Sequence, residues 1–279
     1  MPSLPRYEYA DGVAVITGAA GGIGAELAAG LAERGSHLAL VDQRGDALAE
    51  VADAIRRDRP WLTVTTYDVD LSDHAEIPKL PERVLADHGR VTLLVNNAGV
   101  GLAGKFEQVH MEDVDWLLSI NLRAVMAMTS EFLPVMGSGA HITNISSLFG
   151  LIAPIGNAAY VASKFGVRGF SLSLRRELLP RGIGVTTVHP GGIKTSIATA
   201  SRRGRGVSDA EWAAGLAAFE RFLVIEPAVA ARAIARGTER RRARVLIGPE
   251  AYAGDILARI APASHQAVFE WLMRKKAGL

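Results

Sequence analysis

Seven short runs of β-branched and aliphatic residues recur along the chain, each separated from the next by a longer amphipathic or small-residue stretch. They read VAVIT (13–17), HLALVD (37–42), TVTTYDV (63–69), TLLVNN (92–97), HITNIS (141–146), GVTTVH (184–189) and RVLIG (244–248). Runs this apolar bury both faces, as strands of a parallel sheet do, and parallel strands require crossover connections of helical length. The alternation with right-handed crossovers predicts an α/β fold: an open, doubly wound, seven-stranded parallel sheet flanked by helices. At 279 residues the chain suits a single domain spanning 1–279, with no internal repeat and no linker. A polar Gly/Arg segment followed by EWAAGLAAFERFLV breaks the pattern at about 195–225 and predicts a helical insertion over the mouth of a site. Residues 251–279 predict one or two helices after the last strand.

Composition narrows the function classes. A formal charge of +2 is too small to argue for nucleic acid. Two basic clusters, SRRGRG (201–206) and ERRRAR (239–244), are short enough to be expected as solvated loops or subunit contacts. With no cysteine, disulfides, zinc thiolates and thiol nucleophiles are excluded, and the seven histidines lack metal-ligand spacing, so no metal is expected. His141 and His189 lie in strands and are expected to be packed structurally. The first residues lack an apolar signal core, and no window of about 18 apolar residues occurs, so the expected location is cytoplasmic without a spanning segment. The sequon at Asn144 sits inside a strand-like run and is read as a chance match.

Directly after the first strand comes TGAAGGIG, with Gly18, Gly22 and Gly24 leading into a helix. Such a turn lets the backbone approach a pyrophosphate closely, while the helix N-terminus offers unpaired N–H groups and a partial positive charge. The second strand ends at Asp42, twenty-four residues beyond Gly18, where a carboxylate can accept from the adenosine ribose hydroxyls. A 2′-phosphate there would meet a like charge, at about 4 kcal/mol for unit charges 4 Å apart in a dielectric near 20. Asp42 therefore favours NAD over NADP, with Arg44 as the dissenting residue because it can reach a phosphate.

Further motifs follow in order: NNAG (96–99), SINLRAV around Asn121, NISS ending at Ser147, YVASK from Tyr160 to Lys164, and HPGGIKT (189–195). Together with TGAAGGIG, from Gly18 through Ile23 to Gly24, they closely resemble the short-chain dehydrogenase/reductase family, in its branch of about 250 residues, over positions 10 to about 195. The resemblance implies a Rossmann-type fold. It also implies Tyr160 as general acid/base, Lys164 as its partner, Ser147 as binder of the substrate oxygen and Asn121 as anchor of a proton relay. For the cofactor it implies Asp68 and Val69 at the adenine, and Asn96, Ala98 and Gly99 beside its ribose. Pro190, Ile193 and Thr195 would fix the nicotinamide carboxamide. Relatives commonly form dimers or tetramers, so a homodimer or homotetramer is expected.

The chemistry suits these residue types. Residues i and i+4 on a helix share a face, so the Lys164 ammonium can approach the Tyr160 oxygen and favour its phenolate. At about 6 Å and a dielectric near 20 that attraction is worth ~2.8 kcal/mol, enough to lower the phenol's pKa by about two. Ser147 would hydrogen-bond the same substrate oxygen. Trp212, Phe219 and Phe222 recur at near-helical spacing and are expected to be core or to roof the substrate. The expected function is an NAD-dependent oxidoreductase interconverting an apolar secondary alcohol and a ketone. The alternatives are an NADP(H)-dependent ketone reductase and a non-catalytic dinucleotide-binding regulator; a sugar-nucleotide epimerase fits less well.

Overall fold

Every one of the seven apolar runs forms a strand in the computed structural model, which describes residues 4–264 and 266. The first half runs β1 (Val13–Thr17), α1 (Gly22–Ala32), β2 (His37–Asp42), α2 (Gly45–Asp58), β3 (Val64–Asp68), α3 (Leu80–His88) and β4 (Leu93–Asn96). A two-residue strand β5 (Leu102–Ala103) then precedes α4 (Met111–Leu118), which passes through a π-turn at Ser119–Arg123 into α5 (Ala124–Phe132). The second half runs β6 (His141–Ile145), α6 (Ala158–Leu178), β7 (Gly184–Pro190), a short β8 (Arg202–Arg203), α7 (Asp209–Phe222), α8 (Pro227–Glu239), β9 (Arg244–Ile247) and α9 (Pro249–Ile260). The seven long strands pair in the order β3-β2-β1-β4-β6-β7-β9, all parallel. The direction of winding reverses between β1 and β4, and sheets of this kind bind ligands at the carboxyl ends of the strands at that switch point.

Alternation along each strand divides the core in two. Ala14, Ile16 and Leu93 face Leu27 and Leu31 of α1, Leu48 and Ile55 of α2, and Ile234 of α8. Val15, Leu94, Ile142 and Val185 face Leu80 and Val84 of α3, Met128 and Phe132 of α5, and Leu174 and Leu178 of α6. Burying a side chain of this size contributes roughly 1.5–3 kcal/mol, so the two layers supply most of the driving force. The insertion expected at 195–225 contains β8 and α7. β8 pairs in parallel with β5, a small sheet whose two-residue strands leave no periodicity in the sequence. α7 opens on a capping box in which Ser208 Oγ accepts from Glu211 N at 3.3 Å and Glu211 accepts from Ser208 N at 2.9 Å. After the last strand the described residues include α9; the rest of the expected C-terminal helices lies outside them. No described helix is long and apolar enough to cross a membrane.

The second basic cluster holds an intramolecular fastener where a solvated loop was expected, whereas Arg202, Arg203 and Arg205 of the first are exposed. Arg241 is buried and donates to Pro5 O and Gly139 O, both at 2.6 Å, and to Ala140 O at 2.9 Å. Arg244 bonds Asp255 of α9. A guanidinium has five donors in a fixed fork, which suits it to gathering loop carbonyls. His141 is packed in the sheet with Nε2 at 2.8 Å from Thr186 Oγ1, and its burial lowers its pKa well below the usual value.

Asn144, the sequon residue, is fully buried in β6. It accepts from Asn96 Nδ2 at 2.8 Å and donates to Ser171 Oγ at 2.9 Å, while Asn96 also donates to Thr129 Oγ1 at 3.2 Å. This chain of hydrogen bonds ties β4 and β6 to α5 and α6. Asn144→Ala leaves Asn96 Nδ2 short of an acceptor in a dry layer and is expected to destabilise the fold by about 1–3 kcal/mol, read as a lower urea midpoint at unchanged slope.

Candidate active site

At the β1 end the chain reverses at Gly18, with φ +67°, and again at Gly22, with φ +54°. Both values lie in the left-handed region that side chains with a Cβ resist. A Cβ on Gly24 would stand 2.0 Å from Gly18 O, so α1 begins pressed against the turn it follows. The turn after β4 is sewn to it: Thr17 Oγ1 accepts from Asn97 N and Ala98 N, both at 3.0 Å, and Asn97 Nδ2 donates to Thr17 O at 3.0 Å and Gly18 O at 3.1 Å. Between and above these turns lies a cavity of about 680 Å³, large enough for a dinucleotide end and a small substrate together.

Of the expected cofactor residues, Gly18, Gly22, Ile23, Asp42, Val69, Ala98, Gly99, Pro190, Ile193 and Thr195 line this cavity. Gly24 supports the turn from behind. Asp68 is exposed and its Oδ2 lies 2.7 Å from where a Gly45 Cβ would be, outside the lining, which instead takes Asp70 and Leu71. Asn96 is also outside, buried in the layer beneath the sheet, and Asn97 is the one that reaches the cavity. The reason is the pleat: consecutive residues point to opposite faces. Sequence reading also passed over Thr17. A polar residue closing an otherwise apolar strand was the available signal.

Asp42 is more occupied than its position suggests. Its oxygens accept from Ala20 N and Arg44 N at 3.0 Å, and from Arg44 Nε at 3.2 Å and Nη2 at 3.4 Å. The Arg44 side chain folds across Gly21, with Nη2 3.4 Å from the position of a Cβ there, and is half-exposed. The cradle of glycines without room for a Cβ, the N-terminus of α1 and the Asp42 carboxylate fit a dinucleotide.

Ser147, Tyr160 and Lys164 line the other part of the cavity. Ser147 caps a single helical turn, Leu148–Gly150, and its Oγ accepts from Phe149 N at 3.1 Å, leaving its own proton to donate. His189 Nδ1 lies 3.0 Å from Ser147 O; burial lowers its pKa to about 4, so the neutral ring donates from that nitrogen. Ser146, the residue before it, spends its hydroxyl on Lys164 O at 2.8 Å. Asn121 sits in the π-turn, outside the lining, where Oδ1 accepts from Val100 N at 2.8 Å and Nδ2 donates to Val100 O at 2.9 Å. A Cβ on Gly99 would be 3.3 Å from both Asn121 Oδ1 and Lys164 Nζ, so both side chains border that glycine.

The Lys164 ammonium is 5.7 Å from the Tyr160 ring centre and donates to Ile145 O at 3.2 Å. The expected lowering of the phenol's pKa is not what the protein alone displays. Burial pushes Tyr160 up to about 12, partly offset by its hydrogen bond with Ser147, and burial pulls Lys164 down to about 8. Loss of water on burial is the dominant cause of each shift. At neutral pH the phenol is therefore protonated, a donor suited to a ketone; its use as a base calls for a further cation beside it.

Lys164 thus weakens the fold that holds it. Below pH 8 both folded and unfolded chains carry the proton, and the folded one bears the full desolvation cost. Between about 8 and 10.5 only the unfolded chain keeps its proton, so stability rises with pH over that window. Lys164→Met is expected to stabilise the protein by ~2 kcal/mol near pH 7, the net of ~3 kcal/mol of relieved desolvation and about 1 kcal/mol for the lost bond to Ile145 O. Thermal unfolding followed from pH 7 to 10.5 checks it: the gain should shrink across that range, and a constant gain would contradict it.

Comparison with known proteins agrees with the geometry. A family model for the short chain dehydrogenase matches residues 12–206. SadH of Mycobacterium tuberculosis, which carries an oxidoreductase name, is 40% identical over 263 residues, covering 91% of this chain and 92% of its own. A short chain dehydrogenase/reductase from Burkholderia phymatum, solved in complex with NAD, superposes with a TM-score of 0.83 at 28% identity and covers 91% of this chain and 95% of its own. A metagenomic short-chain oxidoreductase in complex with NADP gives a TM-score of 0.68 at 30% identity over 85% and 97%. The chain is an oxidoreductase belonging to the short-chain dehydrogenase family.

Proposed function

We propose that this protein interconverts an apolar secondary alcohol and the corresponding ketone, with NAD as the preferred cofactor. The observation that carries the reading is the convergence of Ser147, Tyr160 and the buried Lys164 on one wall of a cavity whose other end is the glycine turn and Asp42. A nicotinamide cofactor held by the glycine turn, Asp42 and the segment from Pro190 to Thr195 would supply the hydride acceptor for the alcohol and the hydride donor for the ketone. Tyr160 moves the proton: in reduction its phenol gives a proton to the carbonyl oxygen, and in oxidation its phenolate, which Lys164 and the positive ring of a bound oxidised cofactor would together favour, takes the alcohol's hydroxyl proton. Ser147 donates to the same substrate oxygen and holds it within reach of Tyr160. Lys164 places a positive charge behind the phenol, and Asn121, by gripping both sides of the Val100 peptide, fixes the floor next to that ammonium.

The substrate class is read from the walls. Leu102, Trp116, Leu148, Trp212, Leu216 and Phe219 border the substrate end. Arg202, Arg203 and Arg205 lie outside the lining, leaving Lys105 as the basic side chain there besides Lys164, opposed by Glu211 in the same lining. Affinity in such a pocket comes mainly from buried apolar area. With a series of 2-alkanols, kcat/KM should rise with each added CH₂ by a free energy approaching ~0.8 kcal/mol. Tyr160→Phe should abolish nearly all of that turnover while cofactor affinity stays within a few-fold. A flat series, a preference for polyols, or an active phenylalanine variant would refute the reading.

The buried carboxylate supports NAD, since a 2′-phosphate beside Asp42 meets a like charge. Arg44 keeps the NADP(H) reading alive, because its guanidinium already lies over the glycine turn and is held there by Asp42 itself. Asp42→Ala frees that cation and removes the repulsion together. The ratio of kcat/KM for NAD over NADP should fall by at least about tenfold; a parent enzyme that already uses NADP better would overturn the assignment.

A further inference from the structure

We propose that Arg202 is a positioning residue that sets substrate specificity, its guanidinium fixing the Trp116 indole as a rigid wall of the substrate end of the cavity. The inference rests on the reading of that cavity as a site for an apolar alcohol or ketone. Trp116 of α4 is half-buried and lines the cavity. The Arg202 guanidinium carbon stands 3.6 Å from the centre of the indole, a stacked contact. Arg202 itself does not line the cavity. The ring is thus held between a cation and the space where substrate would lie.

Arg202 is itself constrained. Its backbone is part of β8, with Arg202 N donating to Gly101 O at 3.0 Å and Gly204 N to Ala103 O at 2.9 Å. One turn before Trp116 on α4, Asp113 Oδ1 is 3.6 Å from Arg202 Nη1. A half-exposed ion pair of that length contributes little alone. Its effect is directional: with the guanidinium fixed at one end by β8 and at the other by Asp113, its flat face is presented to the indole. A planar guanidinium stacks on an aromatic face in a way that an ammonium does not reproduce. The neighbouring contacts run outward, Arg205 to Glu112 at 2.9 Å and Arg203 to Asp209, so within this cluster Arg202 is the residue that acts on the wall.

The test is a pair of substitutions made in two backgrounds. Arg202→Met and Arg202→Lys are introduced into the parent and into Trp116→Leu, and KM and kcat are measured for 2-octanone with reduced cofactor. Ketone affinity is measured by calorimetry on cofactor-loaded protein. In the parent, Arg202→Met should raise KM and the ketone Kd by about three- to tenfold with little change in kcat, the range a stacked cation is worth, and Arg202→Lys should recover part of the loss. In Trp116→Leu the same substitution should shift both by less than about twofold. An effect of equal size in both backgrounds would mean that Arg202 acts on the lid at large, and no effect in the parent would mean that the ring needs no support; either overturns the proposal. Ketone binding without turnover would refute the proposed reaction and leave the calorimetric arm able to judge Arg202, whereas a parent that binds no ketone overturns the wall as well. The Lys variant, which retains charge and length, serves if the Met variant does not fold.

Discussion

The site depends on one tight backbone contact, where the first turn of α1 lies so close to Gly18 O that a Cβ on Gly24 would sit 2.0 Å away. That approach brings the helix N-terminus to the carboxyl end of β1, at the point where the sheet reverses its winding. Everything else at the dinucleotide end is arranged around it. Thr17 and Asn97 bridge the β1 and β4 turns with four hydrogen bonds, all between 3.0 and 3.1 Å, so the two sides of the crevice move as one piece. A preorganised crevice of backbone donors needs no rearrangement to receive an anion, which is why the function of this end follows so directly from its fold.

The substrate end is organised by a conflict. Lys164 is buried with no carboxylate bonded to it among the described residues, its ammonium met by the carbonyl of Ile145, and burial draws its pKa from 10.5 to about 8. A structure selected only for stability would place an apolar residue there. Its neighbour Tyr160 is displaced the opposite way by the same loss of water. Pairs of titratable groups whose surroundings shift them strongly are characteristic of sites that move protons. The chain supports this pair from several sides at once: Ser146 ties the Lys164 carbonyl, Ser163 ties that of Tyr160 at 2.7 Å, and Asn121 fixes the loop beneath the ammonium.

How much was legible in the sequence depended on whether a feature was local and periodic. All seven strands could be read, because apolar runs bounded by turns are a property of consecutive residues. The glycine turn, Asp42 and the Tyr160 to Lys164 spacing could be read for the same reason. Asn96 and Asn97 could not be told apart without knowing which face of β4 looks toward the cavity, since a shift of one residue reverses every side chain. The roles of the arginine clusters were also hidden. Arg202 and Trp116 are far apart in the chain, and β5 and β8 are two residues each, so no pattern foretold that a lid strand would pair there and bring a cation onto an indole. The direction of the Tyr160 shift was missed because a pairwise Coulomb estimate has no term for the water that folding removes.

The lid carries the remaining asymmetry of the molecule. α7 has no buried residue among its fourteen, although Trp212, Leu216 and Phe219 form an apolar stripe along one face. That stripe borders the cavity instead of a packed layer, so the helix gains less from its own chain than α1 or α6 does. It is held instead at its edges, by the pairing of β8 with β5 and by Gln108 donating to Glu211 at 3.2 Å and to Gly206 O at 3.4 Å. Segments stabilised by a few peripheral hydrogen bonds and little buried apolar area are the ones that open most readily. An apolar molecule in the cavity would cover the stripe and add the contacts that the lid lacks.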